Sequence, residues 1–303
     1  MANSIIEVQG VAKRFGEIRA VDGVDLAVHR GEIFGLIGHN GAGKSTLFRM
    51  MLGLLPVSGG EIRINGQPVR GEAFRQVRRA IGYLPENVVF YDNLTGLETL
   101  AFFADLKGAN RHACRSLLDK VGLAHAADRR VRGYSKGMRQ RLGFAQALLG
   151  KPAILFLDEP TTGLDPEGIR EFYQILRELR EQGVTVILTS HILAEIQERV
   201  DRLAIMKTGK IQAIGTVQSL REKMALPLIF QIRMQSGLVD ELRSLLAPLG
   251  VDQMEDDGEG MMVRCPRGSK MPVLSALATL GEKVADIHVH EPSLEDVFLG
   301  YAS

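Results

Sequence analysis

Three things are scarce in this sequence, and each absence excludes a class of protein. Cysteine occurs only at Cys114 and Cys265, far apart and without metal-ligand spacing around either. That excludes a disulfide-stapled scaffold, and two free thiols in a reducing cytoplasm are expected. Neither sign of charge is in excess: 37 Lys plus Arg stand against 36 Asp plus Glu, a net charge of +1. A general nucleic-acid binder normally carries a basic surplus, so nucleic acid is not an expected partner. The basic pairs Arg78-Arg79 and Arg129-Arg130 accordingly read as solvated helix faces. Long apolar runs are missing as well, since no stretch approaches the roughly 18–20 residues a membrane helix needs. Residues 1–10 have neither a basic start nor a long apolar segment, so no secretory signal is expected. Internal repeats and low-complexity tracts are absent, which argues against solenoids and tails.

What remains is a chain of 303 residues, 45% hydrophobic and 24% charged, the make-up of a folded protein of one large domain or two ordinary ones. The runs at residues 33–37, 153–157, 184–188 and 203–206 are almost wholly apolar, as strands buried on both faces are. All but the last lead into helix-like sequence. Around them, residues 5–8, 24–28 and 61–64 read as half-exposed strands, the last running into the hairpin signal Asn65-Gly66. Residues 46–55 read as a helix. Residues 94–150 turn helical, with Met138, Leu142, Ala145 and Leu149 forming one stripe on a helix that Ser135 opens. The expectation is an α/β fold: a parallel core sheet, an antiparallel β edge region, and a helical insertion between the first and second core strands. Beyond residue 216 a small C-terminal α+β domain is expected, residues 217–303. Its strands fall at 228–234, 261–264 and 285–290, its helices at 238–249 and 271–280, with a turn at Asp256-Asp257-Gly258. A split βαβ arrangement suits that order.

Glycine is abundant, with 33 residues, and its placement decides the chemistry. Gly38-His39-Asn40-Gly41-Ala42-Gly43-Lys44-Ser45, followed by Thr46, fits the phosphate-binding pattern G-x-x-x-x-G-K-[ST]. Glycines let backbone N–H groups turn toward a triphosphate at a helix N-terminus. Lys44 supplies a cation for the β- and γ-phosphates, and the Ser45 hydroxyl can ligate Mg²⁺. An ordinary glycine-rich turn would not need the buried strand before the loop and the helix after it, which this sequence has. A second motif, Leu157-Asp158-Glu159-Pro160, ends a buried strand. Asp158 can reach the metal beside the first loop, and Glu159 can orient or deprotonate a water attacking the γ-phosphate. Together these indicate a P-loop NTPase that takes a nucleoside triphosphate with Mg²⁺, but they do not separate transporters, GTPases, kinases and helicases.

Three further stretches do: Tyr134-Ser135-Lys136-Gly137-Met138-Arg139-Gln140, Thr161-Thr162-Gly163-Leu164-Asp165-Pro166 and Thr189-Ser190-His191. In this order the set resembles the ATP-binding subunits of ABC transporters, over residues 5 to 215. Ser135 and Gly137 match that family's signature motif, while Lys136 and Met138 depart from it in the manner of exporter-type subunits. The resemblance implies two subunits enclosing two ATP molecules head to tail. Ser135 and Gly137 of one would face the γ-phosphate held on Lys44 of the other, and Asp165 would lie at the seam. It also implies that His191 contacts the γ-phosphate, that Phe15 stacks on adenine, and that Glu86 takes the metal-touching place usually held by Gln. A buried core phenylalanine is the alternative reading of Phe15.

Residues 82–109, especially 84–91, and residues 121–130 are similar to those of one subgroup, the NosF ATPases of the NosDFY transporter, which serves maturation of the copper sites of nitrous oxide reductase. The tail, residues 291–298, is similar to exporter-type ATPases more broadly. The resemblance implies a homodimer on the cytoplasmic face of the inner membrane. Its partners would be an integral membrane permease and a periplasmic accessory protein, with copper or a sulfur species as cargo. The chain itself shows no copper motif such as Cys-x-x-Cys or a Met-rich run. Two alternatives stand beside this: another exporter's ATPase, or a soluble ABC-type ATPase acting on nucleic acid or ribosomes. The latter typically carries two cassettes or a long coiled-coil insertion. Residues 217–303 alone could form a regulatory domain.

Overall fold

The computed structural model describes residues 4–223, 227–234, 237–251, 253–256 and 260–290. The chain divides into two compact units between Gly215 and Thr216.

In the first unit, β1 (Ser4–Phe15) and β2 (Ile18–His29) form a long hairpin, joined by β4 (Gly59–Ile64) and β5 (Gln67–Pro68) in an antiparallel sheet of order β2-β1-β4-β5. The core sheet is built from β3 (Ile33–Ile37), β6 (Ile81–Leu84), β7 (Ile154–Leu157), β8 (Thr185–Ser190), β9 (Arg202–Lys207) and β10 (Lys210–Gly215), in the order β10-β9-β3-β8-β7-β6. All its pairings are parallel except that of β10 with β9. Every residue of β3, β7 and β8 is buried, which is why these segments read as unbroken apolar runs instead of alternating ones.

The helices are α1 (Lys44–Met51), α2 (Gly71–Arg79), α3 (Gly96–Lys107), α4 (Cys114–Lys120), α5 (Lys136–Leu148), α6 (Pro166–Glu181) and the single turn α7 (Leu193–Ile196). The ring of Phe48 on α1 meets that of Phe156 on β7 edge to face at 5.3 Å, locking the first helix onto the sheet. Helix α3 opens with a capping box. The Thr95 hydroxyl accepts from the Glu98 amide at 3.1 Å, and the Glu98 carboxylate accepts from the Thr95 amide at 2.8 Å. Ser135 caps α5 by accepting from the Met138 amide, as its sequence pattern requires.

Two expectations are corrected here. Residues 81–84 form a core strand, so the helical insertion lies between the second and third core strands of the chain, not the first and second. The first helix starts at Lys44 and ends at Met51, before residue 55, because Gly53 adopts positive φ and turns the chain away.

The second unit contains α8 (Val217–Lys223), β11 (Leu228–Met234), α9 (Val239–Leu246), β12 (Gln253–Asp256), β13 (Met261–Cys265), α10 (Lys270–Ala278) and β14 (Val284–His290). Its sheet has the order β12-β13-β11-β14, antiparallel throughout, which is the split βαβ pattern. Leu228, Phe230, Ile232, Val263 and Cys265 pack beneath Leu242 and Leu246 of α9 and Val273 and Leu277 of α10. Strand β12 was not expected: Asp256 belongs to it, while Asp257, Gly258 and the tail at 291–298 lie outside the described residues. Cys114 and Cys265 are both free and buried, and burial pushes both thiols up.

Candidate active site

Strand order determines which loops meet. β3, β8 and β7 are neighbours and parallel, so the loops leaving their C-terminal ends emerge together on one edge of the sheet. Register is fixed by Ile37 opposite Ser190 and Leu157 opposite Leu188. The phosphate-type loop, the acidic pair Asp158-Glu159 and the segment Thr189-Ser190-His191 therefore converge from distant parts of the sequence.

Between them is a cleft of about 290 Å³, lined by Asn40, Gly41, Ala42, Gly43, Lys44, Ser45 and Thr46 together with Glu86, Glu159 and His191. Ala20 and Thr162 complete the lining. Gly43 holds φ at 101°, and a Cβ there would sit 2.4 Å from the Ala20 carbonyl oxygen, so the loop can pass under the β1–β2 hairpin only as glycine. The Lys44 ammonium donates to the carbonyls of Gly38 at 2.6 Å and His39 at 3.3 Å, and stands 3.9 Å from Glu159 Oε1. Burial lowers the Lys44 pKa below its ordinary 10.5, opposed by the charges of Glu159, Asp158 and Glu86.

The acidic pair is divided in function by its geometry. Asp158 is buried, and its Oδ1 accepts from the Thr189 hydroxyl at 2.6 Å. Glu159 has positive φ, 48°, which for a side chain of this kind costs about 1–3 kcal/mol and clusters at functional sites. The bend turns its carboxylate into the cleft, where Oε2 accepts from His191 Nδ1 at 2.7 Å. Where Glu159 is a carboxylate, which can only accept, the donor of this bond is the Nδ1–H tautomer of His191. The Glu159 side chain is only 10% exposed, that of His191 49%.

A metal ion fits the donors present. The Ser45 hydroxyl and the Glu86 carboxylate line the cleft, and Asp158 lies beside Glu159 at the end of β7, an all-oxygen set suited to Mg²⁺. Among the described residues no group of three His, Cys, Asp or Glu could hold a metal unaided.

The remaining expected residues lie outside this cleft. Phe15 is 49% exposed at the tip of the β1–β2 hairpin with the Lys13 ammonium 5.2 Å from its ring centre, so the core reading of Phe15 does not hold. Ser135 and Gly137 open α5, and a Cβ on Gly137 would meet the Gly163 carbonyl oxygen at 2.9 Å. Asp165 caps α6, accepting from the Gly168 amide at 2.9 Å with Pro166 at the first helical position. Thr189 and Gln140 lay within quoted motifs but were not given a role. Ala20 contributes through backbone, which leaves no mark in sequence. A larger groove, about 700 Å³, lies between the end of α1 and α2 and contains none of the expected residues.

Comparison with known proteins agrees with this geometry. Residues 21–162 match the ABC transporter family. The daunorubicin resistance ATP-binding protein DrrA3 of Streptomyces coeruleorubidus is 37% identical over 99% of this chain and 96% of its own length. The bacitracin transport ATP-binding protein BcrA of Bacillus licheniformis is 35% identical over 98% of this chain and 97% of its own. Among solved structures, an ATP-binding subunit of an ABC transporter superposes with TM-score 0.67 at 30% identity, covering 80% of this chain and 100% of that one. A dimeric ATP-binding cassette in a post-hydrolysis state, bound to ADP and Pi, gives TM-score 0.64 at 26% identity over 70% of this chain and 98% of its own. With its fold and its whole length matched in this way, the chain belongs to the ATP-binding, ATP-hydrolysing subunits of ABC transporters.

Proposed function

We propose that this cleft binds ATP with Mg²⁺ and that Glu159 drives hydrolysis in a head-to-tail dimer powering an exporter-type permease. The observation that carries the reading is the bent Glu159, its carboxylate aimed into the cleft between Lys44 and His191. In this arrangement the Lys44 ammonium exchanges its two carbonyl partners for the β- and γ-phosphates, and the loop amides of 41–46 surround them. Ser45, Asp158 and Glu86 hold Mg²⁺, which when bound neutralises developing charge on the phosphates. Glu159 accepts a proton from the attacking water, and His191, its Nδ1 committed to Glu159, presents the rest of its ring to the γ-phosphate. Phe15 offers an exposed face for adenine.

Ser135, Gly137 and Asp165 do not line the cleft of their own chain, and the proposal has them act on the nucleotide of a second copy. The capped start of α5 is an anion site by virtue of its free amides. ABC ATPase domains work as dimers with membrane permeases. Among the described residues no helix is long and apolar enough to cross a membrane, so the proposal places this subunit on the cytoplasmic face of the inner membrane through its permease. The Glu159→Gln variant is expected to bind ATP normally while turnover falls by about 10²–10⁴-fold, the range a general base contributes. Turnover at the wild-type rate would contradict the reading.

The narrower reading, service of a NosDFY-type system with copper or a sulfur species as cargo and a periplasmic accessory protein as partner, rests on the sequence of residues 84–91 and 121–130. The curated relatives are named for daunorubicin resistance and bacitracin transport, so the general reading does not depend on it. Deleting the gene in its host and supplying it again as wild type or Glu159→Gln separates the two. Nitrous oxide reductase lacking copper in the deletion and the variant supports the narrower reading; full copper loading in both contradicts it.

A further inference from the structure

The positive φ of Glu159 raises a question the motifs do not answer: what holds the peptide in that bend before any nucleotide arrives. Two buried side chains from different elements grip it. The Thr189 hydroxyl, on β8 and fully buried, accepts from the Glu159 amide at 2.9 Å while donating to Asp158 Oδ1 at 2.6 Å. A hydroxyl has one proton and two lone pairs, so this single atom fixes both members of the acidic pair at once. One residue further along, the Pro160 carbonyl accepts from Gln140 Nε2 at 2.9 Å, and Gln140 is buried on α5. The bend is thus clamped at its amide by β8 and at the following carbonyl by α5. The side with the Asp158 bond matters separately: with one carboxylate oxygen committed to Thr189, Asp158 has its other oxygen left for a cation.

We propose that Thr189 and Gln140 are positioning residues for hydrolysis: together they hold Glu159 in its bent backbone and aim its carboxylate into the cleft. Gln140 sits five residues past Ser135 on the same helix start, so the clamp also ties the carboxylate to the helix end that faces the nucleotide of a second copy. This rests on the reading of Glu159 given above. Neither residue touches the cleft, so both act through Glu159 and Asp158, and their loss should leave nucleotide affinity in place.

The test compares full-length wild type with Thr189→Val, Thr189→Ser, Gln140→Leu, the double variant Thr189→Val/Gln140→Leu, and Glu159→Gln, using steady-state ATP hydrolysis and equilibrium ATP binding. Thr189→Val keeps the volume and removes the hydroxyl. It is expected to lose about 100-fold in kcat, the scale of a small misplacement of a catalytic group, with KM for ATP unchanged. Thr189→Ser restores the rate because it restores both hydrogen bonds. Gln140→Leu lowers kcat in the same manner, and the double variant falls short of the product of the two losses, because both act on one peptide. A wild-type rate in Thr189→Val overturns the proposal. So does a Thr189→Ser variant as slow as Thr189→Val, or loss of ATP binding in both, since either makes the role one of packing. Strictly multiplicative losses in the double variant overturn the shared clamp. Glu159→Gln at full speed would remove the underlying reading and the proposal with it, whereas an inactive Glu159→Gln beside a Thr189→Val variant at the wild-type rate overturns the clamp alone.

Discussion

Lys44 is a buried cation in the candidate site. Its ammonium is held by two carbonyls and the nearby Glu159 carboxylate, yet burial still outweighs these and lowers its pKa. The sign of the consequence follows. An unfolded lysine keeps its proton up to 10.5, so between the depressed value and 10.5 the unfolded chain binds the extra proton. The cost of burying this charge is fully present at neutral pH and is relieved as pH rises through the depressed value. For ATP the sign is opposite, because the phosphates need the ammonium. Affinity is expected to hold through neutral pH and to decline on the alkaline side before 10.5. A Lys44→Arg variant, whose guanidinium does not titrate there, should bind more weakly but lose the alkaline decline. Binding titrations across pH check this; a decline unchanged in Lys44→Arg would assign it to another group.

At the scale of elements, capping explains where helices begin and packing explains why some strands escape notice. The capping box at Thr95 and Glu98 starts α3, and the backbone bond from Thr95 holds the Glu98 carboxyl below its ordinary 4.5. This support is present above 4.5 and lost as pH falls through the depressed value. Thr95→Ala is expected to reduce stability by about 1 kcal/mol, read from the urea midpoint, with ATP affinity unchanged. Core strands β3, β7, β8 and β9 were legible as apolar runs, and α5 by its helical stripe. Strand β6 was not, since its four residues include Gly82 and sit between polar segments; only pairing with β7 makes it a strand. Strand β12 is four residues with no apolar run, and its partner β13 defines it in the same way. The candidate site was legible where a motif names a side chain that the structure brings to the cleft, as at Lys44, Glu159 and His191, with Asp158 next to Glu159. It was illegible where backbone or a buried hydroxyl does the work. Ala20 acts by its carbonyl and Thr189 reads as an ordinary strand residue, so only the register of β7 against β8 reveals the latter's place.

At the scale of the whole molecule, no helix among the described residues is long and apolar enough to cross a membrane, and the charges of the chain balance to +1. The cleft of one copy contains the loop, the bent glutamate and the histidine, while Ser135, Gly137 and Asp165 lie away from it. Under the proposed function a second copy supplies these, so that ATP itself joins two chains. The most direct measurement is the solution mass, by light scattering, of full-length Glu159→Gln with saturating ATP and Mg²⁺ and again without nucleotide. A dimer is expected with ATP, lost when ATP is removed or Ser135 is changed to Arg. A monomer at saturating bound ATP would contradict it.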